Sequence, residues 1–446
     1  MVFDFLKSKT KTIKEDSFWS KLIRNIVSGF VGETGAAVLS VITTIAIIWI
    51  IGDYRNGVFV LAQSYMTIID GLINFQSWQA VIKYGSEYIE QKDNASLASI
   101  IKMGMLVDII TAILGMIVAV LILPFVSQLL NWSSELQICA LVFSIEILFH
   151  FSGASIGVLR LYDKFNYVAV QKIVVAFLKL LAVLGYYLLG GHQLVYLAIS
   201  YVCASIIGHI LLTVLSFYAI QKSGRFTVRA LLAADTKGYR KKFWDFALWT
   251  NLTSSIDIPV KQLDVFILSS ISMEIVSVFK VFKQIGNVLV QLSIPISQAI
   301  MPQFSELIAQ GKLKECYQVL LKLRKAILMV MIPATVIITI VSPWALKVFF
   351  GPLYSKYFYV LALYLLARTF ALSYTAIHQL FVSMGRVKEN FLFTLYANLA
   401  YLLVAFPLTR WIGITGTVIA IFVEFIIVIE LKKNAIVRTI KHEGVN

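Results

Sequence analysis

Apolar residues run through this chain in long uninterrupted stretches, with polar clusters between them. Charge-free runs at 34–52, 109–134, 193–221 and 326–346 are each long enough to cross about 30 Å of hydrocarbon as a helix. They do not alternate apolar with polar positions, which argues against a membrane β-barrel. Counting apolar spans with their flanking turns predicts twelve, at 22–51, 56–84, 98–128, 136–160, 165–190, 193–221, 243–271, 274–305, 319–346, 357–385, 389–410 and 412–431. The expected fold class is an all-α polytopic membrane protein.

Composition agrees: 59% of residues are hydrophobic, mean hydropathy is +0.83 and only 14% are charged, against about 25% charged in soluble domains. The net charge of +15 is not assigned to nucleic acid, because cytoplasmic loops of polytopic proteins collect Lys and Arg. Placing the N-terminus inside puts thirty of the 39 basic residues on the cytoplasmic side. Outside fall Arg55, Lys347, Lys356 and Arg410, so both termini and the loop 222–242 are expected in the cytoplasm. Trp49, Tyr54, Trp132, Tyr186, Tyr187, Trp344 and Tyr354 form an outer aromatic belt, with Trp19 and Trp244 at the inner edge. The N-terminal residues lack an apolar core followed by a small-residue cleavage site, so no removable signal peptide is expected.

The basic loop 222–242 divides the chain nearly in half. The expected organisation is a cytoplasmic segment 1–21, a six-helix lobe 22–221, the linker 222–242, a second six-helix lobe 243–431 and a cytoplasmic tail 432–446. A short repeat supports two related halves: Ser86-Glu87-x-Ile89 closes the second span and Ser305-Glu306-x-Ile308 the eighth. With six spans each, the lobes would be related by an axis along the membrane normal.

Charged residues inside apolar spans are costly and usually face a protein interior or a watery cavity. The chain places Asp257, Lys261 and Asp264 at i, i+4 and i+7 on one helical face around Pro259. Lys280 and Lys283 follow at i, i+3, and Lys179 and Arg368 lie in other spans. Intramembrane acids are Glu33, Asp70, Asp108, Glu146, Asp257, Asp264 and Glu424. Two readings stand side by side: a transport pathway, or mutual neutralisation of Asp257, Lys261 and Asp264 with snorkelling by the other lysines.

Enzyme signatures are missing from the pattern. There is no P-loop, zinc-spaced His/Cys cluster or nucleotide-binding fingerprint, so no catalytic residues and no metal site are expected. Gly29, Gly32 and Gly35 read as a small face for close helix packing. His150, His209 and His378 lie in separate spans and read as hydrogen-bonded core residues. Cys139, Cys203 and Cys316, odd in number, read as packing residues and not as a disulfide framework.

The turn LRLYDKFNYVAVQ at 159–171 and the run from Lys261 to Leu307, KQLDVFILSSIS followed by VFKVFKQIGNVLVQLSIPISQAIMPQFSEL, resemble the multidrug/oligosaccharidyl-lipid/polysaccharide (MOP) exporter superfamily. Within it they are most similar to the polysaccharide transporter branch that includes Wzx-type flippases. The resemblance implies a V-shaped transporter of the bacterial plasma membrane, with lobes that open a central cavity alternately to either side. The implied cargo is an undecaprenyl-diphosphate-linked oligosaccharide held among membrane lipid, with glycosyltransferase or polymerase partners, no cofactor and a coupling ion, H+ or Na+.

An anionic diphosphate needs fixed cations in the cavity. The residues expected to bind it are Lys280 and Lys283, supported by Arg368, Lys179 and Lys261. Glu33, Asp70, Asp257 and Asp264 are the expected coupling or switching residues, with first-lobe acids pairing with second-lobe bases in one conformation. Two alternatives remain open at this point: a cation-coupled multidrug exporter using Glu33, or a membrane-embedded glycan polymerase or ligase.

Overall fold

The computed structural model describes residues 13–75, 77–191 and 193–443. Its regular structure among these residues is entirely helical. α1 (Ile13–Ile73) consists of two arms meeting at Gly52, whose φ of 81° breaks the helix; a residue without Cβ takes that backbone readily. The second arm is continued by α2 (Ser77–Glu90), and then come α3 (Asn94–Leu129), α4 (Ser134–Ile147), α5 (Gly153–Leu161), α6 (Phe165–Leu188) and α7 (Leu194–Ser223). A linker carries the one-and-a-half-turn α8 (Val228–Ala233). The second half contains α9 (Arg240–Ser269), α10 (Met273–Ala309), α11 (Leu313–Phe349), the short α12 (Pro352–Lys356), α13 (Phe358–Ser373), α14 (Thr375–Ser383), α15 (Val387–Ile412) and α16 (Ile414–Glu443). With α4 and α5 sharing one crossing and α13 and α14 another, the chain threads the bilayer twelve times.

Helix ends follow local chemistry. Asp93 caps α3 by accepting from the Ser96 amide at 3.0 Å, and Ser133 caps α4 by accepting from the Leu136 amide at 3.3 Å. Both side chains satisfy amides that a helix N-terminus leaves unpaired. The expected small face on the first span is used at Gly32, where a Cβ would collide with the Cα and Cβ of Ala169 on α6. The outer surface is apolar, with Leu121, Leu188, Leu189 and Trp411 all exposed, as lipid-facing positions should be.

In the first lobe α1 packs on α6 and α4, α7 on α6 and α4, and α2 on α3 and α5. In the second, α15 packs on α16, α11 on α13, α10 on α14 and α9 on α15. One apolar core crosses between the lobes near the end poor in basic residues, joining Val58 and Leu61 to Val276, Phe279 and Phe282. Towards the basic end there are two separate cores. One holds Val81, Ile100 and Val158 with Phe243 of α9; the other holds Phe304, Leu320 and Ile436. The main core joining the lobes therefore lies at the end poor in basic residues, and towards the basic end the two cores are separate, with the start of α9 alone of the second lobe packed in the first-lobe core.

Three crossings expected to be continuous are broken. The second stops at Ile73 and restarts at Ser77, the fourth is interrupted between Ile147 and Gly153, and the tenth between Ser373 and Thr375. Residues 148–152 contain no proline; polar side chains instead take over the freed backbone groups. Asn74 donates to the His150 carbonyl at 3.3 Å, and Asp108 Oδ2 accepts from the Ala154 amide at 2.6 Å. Irregular backbone at membrane depth needs such internal partners. Into the segment assigned to the tail from 432, α16 continues as helix to Glu443.

Candidate functional site at the junction of the lobes

The joined end is closed by a ladder of contacts between α1 and the second half of the chain. Trp49 Nε1 donates to the Phe349 carbonyl at 2.7 Å. Asn56 Nδ2 donates to Ser277 Oγ at 2.6 Å, and Ser277 shares a 2.6 Å hydrogen bond with the Tyr354 hydroxyl. Gly57 lies so close to the α10 start that a Cβ there would overlap the Met273 carbonyl. Deeper along α10, Gln284 Nε2 donates to Thr44 Oγ1 at 2.8 Å and to Ser40 Oγ at 3.3 Å.

Lys280 lies between these rungs on α10. It makes no hydrogen bond or ion pair among the described residues, and its electrostatic neighbours are Lys283, Lys179 and Asp264. Lys179 belongs to the other lobe, on α6. Its ammonium sits 4.4 Å from the centroid of the Tyr201 ring and borders a cavity of about 250 Å³ lined in part by Ser40, Thr43, Gln171, Lys172 and Tyr201. Two lysines from opposite lobes are thus electrostatic neighbours below the closed end. Cationic side chains held together inside a membrane protein are positioned to receive an anion.

Lys283 is differently placed. Its ammonium reaches both Asp264 oxygens, at 2.8 and 3.0 Å, and donates to the Lys261 carbonyl at 2.7 Å. Asp264 therefore takes its partner from the neighbouring helix, where the sequence pattern had suggested Lys261 of its own. The reason is geometric: i+3 spacing on α9 points Asp264 into the core while Lys261 is exposed. Arg368 Nε donates to the Tyr364 hydroxyl at 2.9 Å, with the guanidinium also 5.6 Å from the Phe425 ring. Asp264 and Glu424 are electrostatic neighbours of that tyrosine. The side chain of Asp257 lies outside those described.

Glu33 and Asp70 of the first lobe find their partners within it. Glu33 is ion-paired to Lys172, and Asp70 Oδ2 lies 2.7 Å from His150 Nδ1, so neither reaches a second-lobe base in this conformation. Asp70 Oδ1 also accepts from Asn74 at 3.1 Å. The rings of His150 and His209 meet edge to face, with centroids 4.3 Å apart. His209 Nδ1 lies 2.9 Å from Ser152 Oγ, and its Nε2 lies 4.0 Å from Glu146 Oε1. Among the described residues, Glu146 Oε2 is buried without a hydrogen-bond partner, while Asp108 is also close to Ser77.

This cluster was not readable from the separate spans. The usable signal is weak: Asp70 with Asn74, and Glu146 with His150, each fall at i, i+4 beside a helix break that the apolar pattern conceals.

Comparisons with known proteins follow the same direction. The family described as polysaccharide biosynthesis protein matches residues 22–308. The inner membrane protein YghQ of Escherichia coli (strain K12) is 28% identical over 123 residues, which is 28% of this chain and 35% of that protein. The chain thus matches about a third of that curated relative's length. A solved structure described as a multidrug resistance MATE family transporter of the MOP superfamily, inward-facing, superposes with a TM-score of 0.68 at 12% identity, over 95% of each chain. The lipid II flippase MurJ, inward closed, gives 0.70 at 15% identity, over 92% of this chain and 87% of that one. A MOP superfamily transporter from Pyrococcus furiosus Vc1 (DSM3638), described by the reverse polarity of its binding pocket, gives 0.59 at 14% identity, over 93% and 95%. At these identities the likeness to solved structures is one of fold.

Proposed function

Since the chain belongs to the polysaccharide biosynthesis protein family and has a MOP transporter fold, we propose that it flips a lipid-diphosphate-linked oligosaccharide from the cytoplasmic to the outer leaflet. It is a multi-pass membrane transporter, not an enzyme. The observation that carries the substrate class is the pair Lys179 and Lys280, from opposite lobes and without a carboxylate hydrogen-bonded to either among the described residues. A diphosphate between them would be bound by both lobes at once. Its glycan would occupy the space between the diverging cores, and its lipid tail would stay in the bilayer.

The distribution of charge along the chain supports the outward direction. By sequence, thirty of 39 basic residues are assigned to the cytoplasmic side, and the positive-inside rule supports taking the end away from the closed junction as cytoplasmic. In this conformation the substrate would load from the cytoplasm. Release outward requires the Trp49, Asn56, Ser277 and Gln284 contacts to part and the basic end to close. At about 1 kcal/mol net per hydrogen bond, the ladder is worth a few kcal/mol. That is the scale on which differential binding reverses a two-state equilibrium, about 5.5 kcal/mol for 1:99 to 99:1. Lys283 serves differently: with Asp264 it cross-links α9 to α10 and keeps Lys280 oriented.

Export of cationic drugs is a poorer fit, because two ammonium groups with no carboxylate hydrogen-bonded to them among the described residues repel such cargo. The deciding experiment replaces Lys179 and Lys280 in cells dependent on this chain and measures the lipid-linked glycan on each face of the membrane. The double alanine variant should leave the glycan on the cytoplasmic face, and Lys→Arg at both positions should retain most export. Normal glycan export by an abundant, membrane-inserted double alanine variant would overturn the reading.

A further inference from the structure

The first lobe contains more buried ionisable chemistry than a helix bundle needs for packing. Asp70, Asp108 and Glu146 point inward, the groups around them are His150 and His209 and the neutral Asn74, Ser77 and Ser152, and Lys179 is an electrostatic neighbour of both histidines. These come from α1, α2, α3, the break between α4 and α5, α6 and α7. Asp108 and Lys179 each lie fourteen residues into helices that start at the basic end, about 21 Å along at ~1.5 Å per residue. The cluster is therefore deep in the membrane. Lys179 is an electrostatic neighbour of both histidines and of Lys280, so the cluster abuts the substrate cavity.

Charge counting limits its states. Three carboxylates grouped around two histidines, with Lys179 beside those histidines, cannot all remain ionised in an apolar core unless protons join them. Two imidazolium rings 4.3 Å apart repel strongly, so the histidine pair accepts one proton and resists a second. Each ring has its own carboxylate to balance that proton: Asp70 at 2.7 Å from His150 and Glu146 at 4.0 Å from His209. Glu146 is only 6% exposed, and its Oε2 lacks a partner, which leaves an acceptor aimed into the cluster. Simple core hydrogen bonding accounts for neither the unpaired oxygen nor the two histidines in contact.

We propose that Asp70, His150, His209 and Glu146 form an intramembrane site for a single exchangeable proton, held on His150 facing Asp70 or on His209 facing Glu146. The two positions are two arrangements of charge beside Lys179, and so the proton's place alters the field that the substrate's diphosphate meets. Asp70 is on the same α1 arm as Asn56, three turns beyond Gly57, which ties the site mechanically to the closed end. By linkage, whatever the proton does to anion binding at Lys179, the anion does equally to proton binding. This proposal rests on the transporter reading and adds the identity of the coupling ion.

The test uses the full-length protein in lipid nanodiscs with 15N-labelled imidazoles, titrated between pH 4 and 9. His150 and His209 should together take up one proton, with coupled signals. Glu146→Gln or Asp70→Asn should move the midpoint of that uptake by about one pH unit or more, the usual scale for removing a close charge. Should those variants fail to insert, Lys179→Met probes the same coupling from outside the cluster. His378→Gln, in the other lobe, should leave the titration unchanged. Two independent one-proton titrations, no titration over the whole range, or displacement by Na+ at fixed pH would each overturn the proposal. In proteoliposomes, flipping of a lipid-diphosphate glycan should depend on an imposed pH gradient in the unmodified protein and lose that dependence in His209→Gln. Flipping that ignores the gradient defeats the proton site alone; coupled imidazole titration without any flipping defeats the substrate reading alone.

Discussion

Asn56 and Ser277, 221 positions apart in the sequence, are joined by a buried 2.6 Å hydrogen bond that fastens the first lobe to the second. Ser277 is held in turn by Tyr354 at 2.6 Å, so the contact is one link of a three-residue chain. Replacing Ser277 with Ala leaves Asn56 and Tyr354 buried without that partner, which costs about 1–3 kcal/mol. The joined conformation should lose roughly tenfold or more in population relative to the separated one. Spin labels at the exposed positions Tyr54 and Lys347 would show this as a longer distance; an unchanged distribution in Ser277→Ala would refute it.

Gly57 makes a stronger version of the same prediction. A side chain at this position would overlap the Met273 carbonyl, and backbone cannot yield as a flexible side chain can. Gly57→Val should hold the lobes apart at this end while leaving each lobe folded. Labelling of a cysteine introduced at Val276, buried in the core that joins the lobes, should become fast in Gly57→Val and stay slow with Gly57 intact. Equal rates would show that the two backbones need not approach during transport.

Lys280 and Lys283 are three residues apart and should behave oppositely. Removing the Lys283 ammonium strands a buried Asp264 carboxylate, a loss of about 3–5 kcal/mol for a broken buried pair. Lys283→Met should therefore lower thermal stability in detergent, and adding Asp264→Asn should restore part of it. Lys280→Met breaks no ion pair among the described residues and should leave thermal stability near that of the unmodified protein. Equal destabilisation by the two single substitutions would mean that Lys280 has a structural partner.

The twelve crossings were legible because bilayer thickness imposes one length on every span, and uninterrupted apolar runs such as 109–134 meet it without ambiguity. The positions of Lys179, Lys280 and Lys283 as exceptional residues were equally plain, since ammonium groups in apolar runs require an explanation. Their roles were not. Lys283 and Lys280 share a helix, yet only rotation about its axis decides which meets Asp264, and a single span carries no record of its neighbour's orientation. His150 looked like an isolated core residue for a related reason. Its partners Asp70 and His209 come from other crossings, and the helix break that lets them converge is stabilised by side chains far away in sequence. Local propensity is silent about such a break.

At the basic end, Asp93 gives a pH-dependent prediction outside the membrane spans. Its carboxylate caps α3 through the Ser96 amide at 3.0 Å and the Ser96 hydroxyl, and that hydroxyl shares a 2.6 Å hydrogen bond with Tyr239 just before α9. Hydrogen bonds from the Ser96 side chain, then from its backbone, hold the Asp93 carboxyl below the ordinary carboxylate range. A lowered folded-state value means the cap is fully present above the unfolded carboxyl's range near pH 4 and is lost as pH falls through the folded value. Amide hydrogen exchange at Ser96 and Leu97, corrected for its intrinsic pH dependence, should thus show constant protection from pH 7 to 5 and declining protection towards pH 3. Asp93→Asn keeps a good capping oxygen but does not titrate, so its protection should stay flat across the same range. Asp93→Ala should lack the added protection at every pH. The Tyr239 contact extends the test to the linker: amides at 237–239 should lose protection together with Ser96 in Asp93→Ala. If they remain fully protected while Ser96 opens, the cap and the linker are independent, and the Ser96 to Tyr239 hydrogen bond does not tie the start of α3 to the entry of α9.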